Sequence, residues 1–247
     1  MKLRVGITGA RGFLGIHIAR AISKRGGAAV SGCDLPRCDL LDPRAAARFV
    51  KGKDVIVHAA AINRGSDAEV IAGSVVATWN LAAAASRLTR KPKIIFLSST
   101  QAEMETLYGV SKKLCEVMLE DIAKQKRLPV TVFRLANVFG EGGRPFYNSV
   151  IATFCHQIAR GKKLTVASSP KKFAFVYAGD AASLVAREAY AKRTARFRLV
   201  RVASANQLSI PKLSKLLLKL SRRKSADGLR SKFEKDLYRV YRSYIPK

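Results

Sequence analysis

An α/β fold on a doubly wound parallel sheet is the class that this 247-residue sequence predicts, and three observations predict it. Strand-like and helix-like runs alternate without a repeat or a low-complexity linker, the pattern of a parallel sheet with helices on both faces. The N-terminus places an apolar strand, a glycine-rich turn and an amphipathic helix in direct succession. The apolar share of 48% is enough to bury the core of one such domain and excludes a disordered chain.

Taken in order, residues 3–7 read as a buried first strand, and Thr8-Gly9-Ala10-Arg11-Gly12-Phe13-Leu14-Gly15 follows as the turn. Ile16, Ile18, Ala19 and Ile22 then continue at helical spacing. Gly9 permits the tight turn, Gly12 lets backbone approach a pyrophosphate, and Gly15 allows close helix packing. The free N–H groups and positive dipole end of that helix attract phosphate. This is a Rossmann-type dinucleotide signature. Residues 28–33 read as the second strand, and Asp34 ends it at the distance expected of a ribose-binding carboxylate. Asp34 points to NAD(H), whereas Arg37 lies close enough to meet a 2′-phosphate and keeps NADP(H) open.

Residues 39–43 read as a short third strand leading into a helix, and residues 54–58 as a fourth, ending in Ala59-Ala60-Ala61. A long helix over 67–87 precedes a strand at 94–97. A helix over 107–124, a strand over 129–134 and a strand exit at 137–140 come next. The pattern then changes: a Gly/Pro/Arg loop at 141–145 opens a helix over about 148–160. A strand at 173–177 and a helix from Asp180 return to the main body, and a small helical lobe begins near Phe197. The expected division is a dinucleotide-binding core of residues 1–140 plus 171–195 and a substrate-binding lobe of 141–170 plus 196–247. Ligands of such sheets lie beyond the carboxyl ends of the strands. That places residues 59–63, 98–100 and 134–137 around one cleft, with 141–160 as its lid.

Tyr108 and Lys112 are four apart and therefore share a helix face. An adjacent ammonium favours the phenolate, whose ordinary pKa of about 10 is too high for acid–base work near neutrality. Thr100, at the polar end of the preceding strand, adds a hydroxyl for the same oxygen. The set suits proton transfer to a carbonyl while a hydride arrives from a cofactor.

Composition bounds the rest. With 46 Lys and Arg against 17 Asp and Glu, the formal charge is +29. A basic surface attracts nucleic acid, anionic lipid or an anionic substrate. The sequence has no aromatic-interleaved basic module, so neither a nucleic-acid nor a membrane-surface partner is expected. The basic amphipathic segment 209–224 is expected to pack its leucines on the domain. No segment reads as long and apolar enough to span a bilayer, and Met1-Lys2-Leu3 runs straight into the first strand, so a cytoplasmic location is expected. Cys33, Cys38, Cys115 and Cys155 read as thiols of a reducing compartment, and with isolated His17, His58 and His156 they suggest no metal.

These segments together resemble the extended short-chain dehydrogenase/reductase family, the nucleotide-sugar epimerases, dehydratases and reductases. Gly9, Gly12 and Gly15, then Asp39-Leu40, His58-Ala59-Ala60-Ala61, Ser98-Ser99-Thr100, Tyr108 with Lys112, residues 134–140 and Val176-Tyr177-Ala178-Gly179-Asp180 each match a family segment. More narrowly, Ser98 to Ala102, Arg144 to Cys155, Ile62-Asn63-Arg64 and Phe233 to Tyr238 are similar to the CapF-type capsular-polysaccharide reductases. That resemblance implies NADPH-dependent reduction of the 4-ketone of a UDP-linked 2-acetamido-2,6-dideoxyhexulose. It implies catalysis by Thr100, Tyr108 and Lys112. Cofactor contacts are implied from Gly9, Arg11, Gly12, Phe13, Leu14, Gly15, Asp34, Arg37, Asp39, Leu40, His58, Ala59, Ala60, Ser98, Tyr108, Lys112 and Leu135. Substrate contacts are implied from Asn63, Arg64, Thr100, Gln101, Asn137, Arg144 and Asn148.

Three departures bear on that reading. The CapF type carries a C-terminal zinc cupin that epimerises C3, so a separate epimerase partner or a substrate needing none is expected here. Asp34 stands where NADPH-using relatives carry a basic residue. Ser74 stands where many family members have Asn. The leading expectation is a UDP-sugar 4-ketoreductase acting as a homodimer. A nucleotide-sugar 4-epimerase uses the same Tyr and Lys and is the alternative. A non-catalytic NAD(P)-binding scaffold is the alternative of another class; a dehydratase is disfavoured by Gln101, which stands where an acid is usual.

Overall fold

Short runs of Val, Ile and Phe that are buried on both faces set the architecture, because such strands fit only the interior of a parallel sheet. In the computed structural model, which describes residues 2–62, 65–192, 195–202 and 206–246, six of these runs form one parallel sheet. They are β1 (Leu3–Thr8), β2 (Ala28–Cys33), β3 (Val55–His58), β4 (Lys93–Ser99), β5 (Val130–Leu135) and β8 (Phe197–Val202), in the order β2-β1-β3-β4-β5-β8. The register pairs Thr8 with both Cys33 and His58, and Ser98 with Arg134, so the polar strand ends line up. The order reverses between β1 and β3, which is where such sheets open a crevice for a ligand.

The chain divides into two compact units, Met1–Leu135 with Ala182–Val202, and Ala136–Ala181 with Ala203–Lys247. Within the first, α1 (Phe13–Arg25), α2 (Pro43–Val50), α4 (Ala77–Ser86) and α5 (Leu107–Lys126) accompany the sheet. Ile56, Leu81, Ala85, Ile94, Phe96, Leu119 and Val132 share its core. The second unit holds a three-stranded sheet, β6 (Asn137–Phe139), β7 (Lys172–Tyr177) and β9 (Gln207–Ser209), with β7 central. Its helices α6 (Val150–Ala159), α8 (Ile210–Ser221) and α9 (Lys232–Tyr244) bury Ile151, Phe154, Leu213, Leu217 and Leu237 with Phe139 and Phe175. The leucines of α8 do pack inward. α3 (Asp67–Ile71) and α7 (Ala178–Tyr190) complete the α-helices of the described residues.

Five readings need correction. Residues 39–42 form a turn, not a strand, because Asp42 caps α2 by accepting from the N–H groups of Arg44 and Ala45 at 2.8 and 3.1 Å. Residues 197–202 do not open a helical lobe: their alternation Phe-Arg-Leu-Val-Arg-Val fits an edge strand, and β8 pairs along β5. The helical stretch from Asp67 to Ser86 is long and apolar enough, by length and composition, to cross a membrane, with mean hydropathy 1.3. Its few charges follow from packing: Val70, Ala77, Leu81, Ala82 and Ala85 are buried within the unit. Cys33 and Cys38 are joined by a disulfide, their Cα atoms 5.2 Å apart across the turn, while Cys115 and Cys155 are free and buried.

The same stretch is not one continuous α-helix. α3 (Asp67–Ile71), capped by Ser66 and Glu69, passes through a single π turn at Ala72–Val76 into α4.

Candidate active site

The turn after β1 is built as the glycines require. Gly9 has φ +67°, and a Cβ on Gly15 would stand 2.0 Å from the Gly9 carbonyl, so α1 closes directly on the turn. Asp34 reaches back across it: its Oδ1 accepts the Arg11 N–H at 2.9 Å. Arg37 is exposed in the loop that the Cys33–Cys38 disulfide closes. Downstream, the Asp39 carboxylate accepts from the Leu41 N–H at 2.9 Å, and Leu40 is buried. Asn80, a residue that sequence reasoning missed, donates to the carbonyls of Leu40 and Leu41 at 2.9 and 3.1 Å. Phe13 and Leu14 open α1, and Leu135 ends β5.

Beside the turn runs a chain of hydrogen bonds whose proton order can be worked out. Thr78 Oγ1 has one proton and gives it to the Ser74 carbonyl at 2.5 Å. It must therefore accept from His58 Nε2, 3.0 Å away. His58 Nδ1 is then an acceptor, taking the Thr8 hydroxyl proton at 2.7 Å. Thr8 Oγ1 in turn accepts the Ala60 N–H at 3.2 Å, and Ala59 donates its N–H to the Thr8 carbonyl. His58 is thus a neutral ring in one tautomer, and burial, with the nearby Lys112 ammonium, pushes its pKa down to about 3. Thr8 and Thr78 were not singled out from sequence, where isolated threonines carry no signal.

The third component is the start of α5. Thr106 caps the helix by accepting from the Gly109 N–H. A Cβ at Gly109 would stand 2.3 Å from the Gln101 carbonyl and 2.4 Å from that of Met104, so glycine lets α5 close on the 3-10 turn Thr100–Glu103. That closure sets half-buried Tyr108 beside the turn bearing Thr100 and exposed Gln101. Lys112 is buried; its Nζ donates to the Leu97 carbonyl at 3.0 Å and lies 4.7 Å from the Phe96 ring centroid and 5.8 Å from that of Tyr108.

Two expectations about this set change. Burial, with a smaller electrostatic push from Cys115, raises the Tyr108 phenol to about 12 and does not lower it. Burial also lowers Lys112 to about 8, against the opposing pull of Cys115 and Glu116. Seated on Leu97, the ammonium acts on the Tyr108 ring face in this structure. Ser98, expected at the cofactor, gives its hydroxyl proton to Glu116 at 2.6 Å.

In the second unit, Asn137 spends its amide on the Ala174 carbonyl at 3.0 Å. The Arg144 guanidinium lies 5.1 Å over the Tyr147 ring, ahead of the Ser149 cap of α6. Asn148 immediately precedes that cap. Asn63 and Arg64 lie outside the described residues. Among the described residues no group of three or more His, Cys, Asp or Glu is placed to hold a metal.

The sequence model described as the NAD dependent epimerase/dehydratase family matches residues 5–194. The chain belongs to that family. Among relatives of this epimerase/dehydratase chain is a Pseudomonas aeruginosa protein named UDP-2-acetamido-2,6-beta-L-arabino-hexul-4-ose reductase, 31% identical over 248 residues. The match covers 99% of this chain and 65% of the relative. The crystal structure of the capsular polysaccharide assembling protein CapF from Staphylococcus aureus superposes with TM-score 0.77 at 27% identity, again over 99% of this chain and 65% of that one. The chain therefore spans about two thirds of the length of these two proteins. The structure of the UDP-glucose 4-epimerase of Thermotoga maritima with UDP-glucose matches at TM-score 0.85 and 18% identity over 98% of both chains, a likeness of fold.

The family's dinucleotide fits the residues present. No side chain caps α1 at Gly12, leaving its first N–H groups to a phosphate, and the glycine turn keeps clear the space that a Cβ would fill. Gly9, Gly12 and Gly15 would hold the pyrophosphate and Asp34 the adenosine ribose; the bound nicotinamide supplies hydride chemistry.

Proposed function

We propose that this chain is an NAD(P)H-dependent reductase of the C4 ketone of a UDP-linked, N-acetylated 6-deoxy-4-ketosugar, serving cell-surface polysaccharide synthesis in the cytoplasm. The observation that carries the reading is the juxtaposition of Thr100, Tyr108 and buried Lys112 at the carboxyl end of β4, in the unit that holds the glycine turn. The likeness, over 99% of this chain and 65% of the relative, to a protein named UDP-2-acetamido-2,6-beta-L-arabino-hexul-4-ose reductase supports the substrate class.

The chemistry follows from the side chains. With its phenol pushed up to about 12, Tyr108 carries its proton throughout the neutral range and is ready to donate it to the ketone oxygen as negative charge develops there. Thr100 donates a hydrogen bond to the same oxygen. Lys112 stabilises the phenolate left behind and binds the nicotinamide ribose. Arg144 and Asn148 are the groups we assign to the nucleotide sugar, since a guanidinium pairs well with diphosphate. Asp34 favours NADH over NADPH in this reading, because a carboxylate held at the turn repels a 2′-phosphate.

Tyr108→Phe tests the central assignment. Turnover of a UDP-4-ketosugar falls by at least about 10²-fold, while dinucleotide affinity measured by calorimetry is kept. Near-normal turnover of the purified variant refutes it. Titrating the wild-type protein with NADH and NADPH decides the cofactor, and tighter NADPH binding overturns the Asp34 argument.

A further inference from the structure

Glu116 is a charged residue only 2% exposed, one helical turn beyond Lys112 on the same face of α5. Both carboxylate oxygens are committed. Oε1 accepts from Ser98 Oγ at 2.6 Å and from Arg134 Nε at 2.8 Å, and Oε2 accepts from Arg134 Nη2 at 2.5 Å. Arg134 passes its remaining arm to Glu103 at 2.9 Å, which also takes Arg201 at 2.8 Å. One carboxylate thus ties α5 to the ends of β4 and β5 and to the turn that bears Thr100. A buried ion pair gives back little net stability against its desolvation, so its location invites another explanation.

The groups that face Lys112 supply one. From α5 come Tyr108, Cys115 and Glu116; from β3, His58; from β4, the Phe96 ring and Leu97 carbonyl; from β5, Arg134 through Glu116. His58 is neutral, and burial holds the Tyr108 phenol and the Cys115 thiol protonated. Glu116 is the anion of the set.

We propose that Glu116 is a positioning residue for Lys112: clamped by Ser98 and Arg134, it keeps the buried side chain an ammonium and seated at the end of β4. The proposal rests on Lys112 being the cation beside the proton donor. Glu116 opposes the burial that would otherwise discharge the lysine, and it does so without touching substrate or cofactor.

The experiment uses the full chain labelled with ¹⁵N-lysine, the Lys112 Nζ resonance being assigned by its loss in Lys112→Met. Glu116→Gln moves the Nζ midpoint down by about one pH unit or more, the size expected from losing an opposite charge nearby. The basic limb of kcat/KM for a UDP-4-ketosugar moves with it. Glu116→Asp, which restores a carboxylate, returns both toward wild type. If Glu116→Gln does not fold, Arg134→Gln reads the same link with the opposite sign, raising the midpoint by leaving the carboxylate uncompensated. A folded Glu116→Gln protein that is merely less stable, with the Nζ midpoint unmoved, overturns the proposal. Should no variant and not even the wild type reduce a ketosugar, the reductase reading fails while the Nζ titration still decides the role of Glu116.

Discussion

The end of β3 and the second turn of α5 each bury a basic side chain, and the same exclusion of water has opposite consequences. At His58 burial brings the ring from 6.5 to about 3, so it is neutral under every ordinary condition. At Lys112 burial brings the ammonium from 10.5 to about 8, so it remains charged at neutrality. The surroundings match those outcomes. His58 lies between two hydroxyls and a protein donor chain, which suit a neutral imidazole. Lys112 has a carbonyl, an aromatic face and a carboxylate one turn away, which suit a cation. What separates the neutral base from the charged one here is chiefly the ordinary basicity of each group, 6.5 against 10.5, with neighbours that match each outcome, and not the depth of its burial.

The largest expected effect comes from removing the charged member. Lys112→Met lowers ketosugar turnover at pH 7 by about 10² to 10⁴-fold, measured in single-turnover assays. In the wild type the same activity declines as pH rises through about 8, because the ammonium is lost there. An unchanged rate in the variant would break the comparison at its functional end.

Removing the neutral member acts on stability. His58→Phe keeps the ring volume beside Phe96 but leaves Thr8 and Thr78 without their shared partner. The expected loss is about 2–3 kcal/mol in urea denaturation. In the wild type the His58 ¹⁵N shifts stay flat from pH 5 to pH 8; a midpoint in that interval would remove the contrast.

A smaller effect comes from Asp54, an acid shifted by partners instead of by burial. Hydrogen bonds from Arg4, then desolvation working against them, leave its carboxyl below the ordinary range, and Arg90 adds a further contact at 2.8 Å. Its contribution is therefore present above the unfolded pKa and lost as pH falls through the folded one. Asp54→Asn costs about 1 kcal/mol at pH 7, discounted because both arginines are solvent-exposed. The gap from wild type closes in acid, as stability curves at pH 7 and below pH 4 will register.

Much of the first unit was legible because its rules act within a few residues. Gly9 and Gly15 are demanded by backbone conformation and contact, and Tyr108 and Lys112 share a face by helix geometry alone. Contacts between distant segments were not legible. Nothing near Glu116 announces Arg134, eighteen positions on, or Ser98, eighteen positions back. The upward shift of Tyr108 was missed because the local pairing with Lys112 argues for the reverse, and burial enters only with the fold. Cys33 and Cys38 were read as thiols since their pairing depends on how the Asp34 turn folds. Asp42 misled in a simpler way: its side chain captures two backbone N–H groups that a strand would have needed.

The π turn at Ala72–Val76 has a consequence for register. It packs one more residue into a single turn, so everything after it is rotated by about 100° from the position that an uninterrupted α-helix would assign. Thr78 faces His58, and Asn80 reaches the carbonyls of Leu40 and Leu41, only in that rotated frame. A single inserted step thus phases both contacts at once. It works as a vernier between a helix that repeats every 3.6 residues and its fixed targets, the carbonyls of the 39–42 turn and the ring at the end of β3.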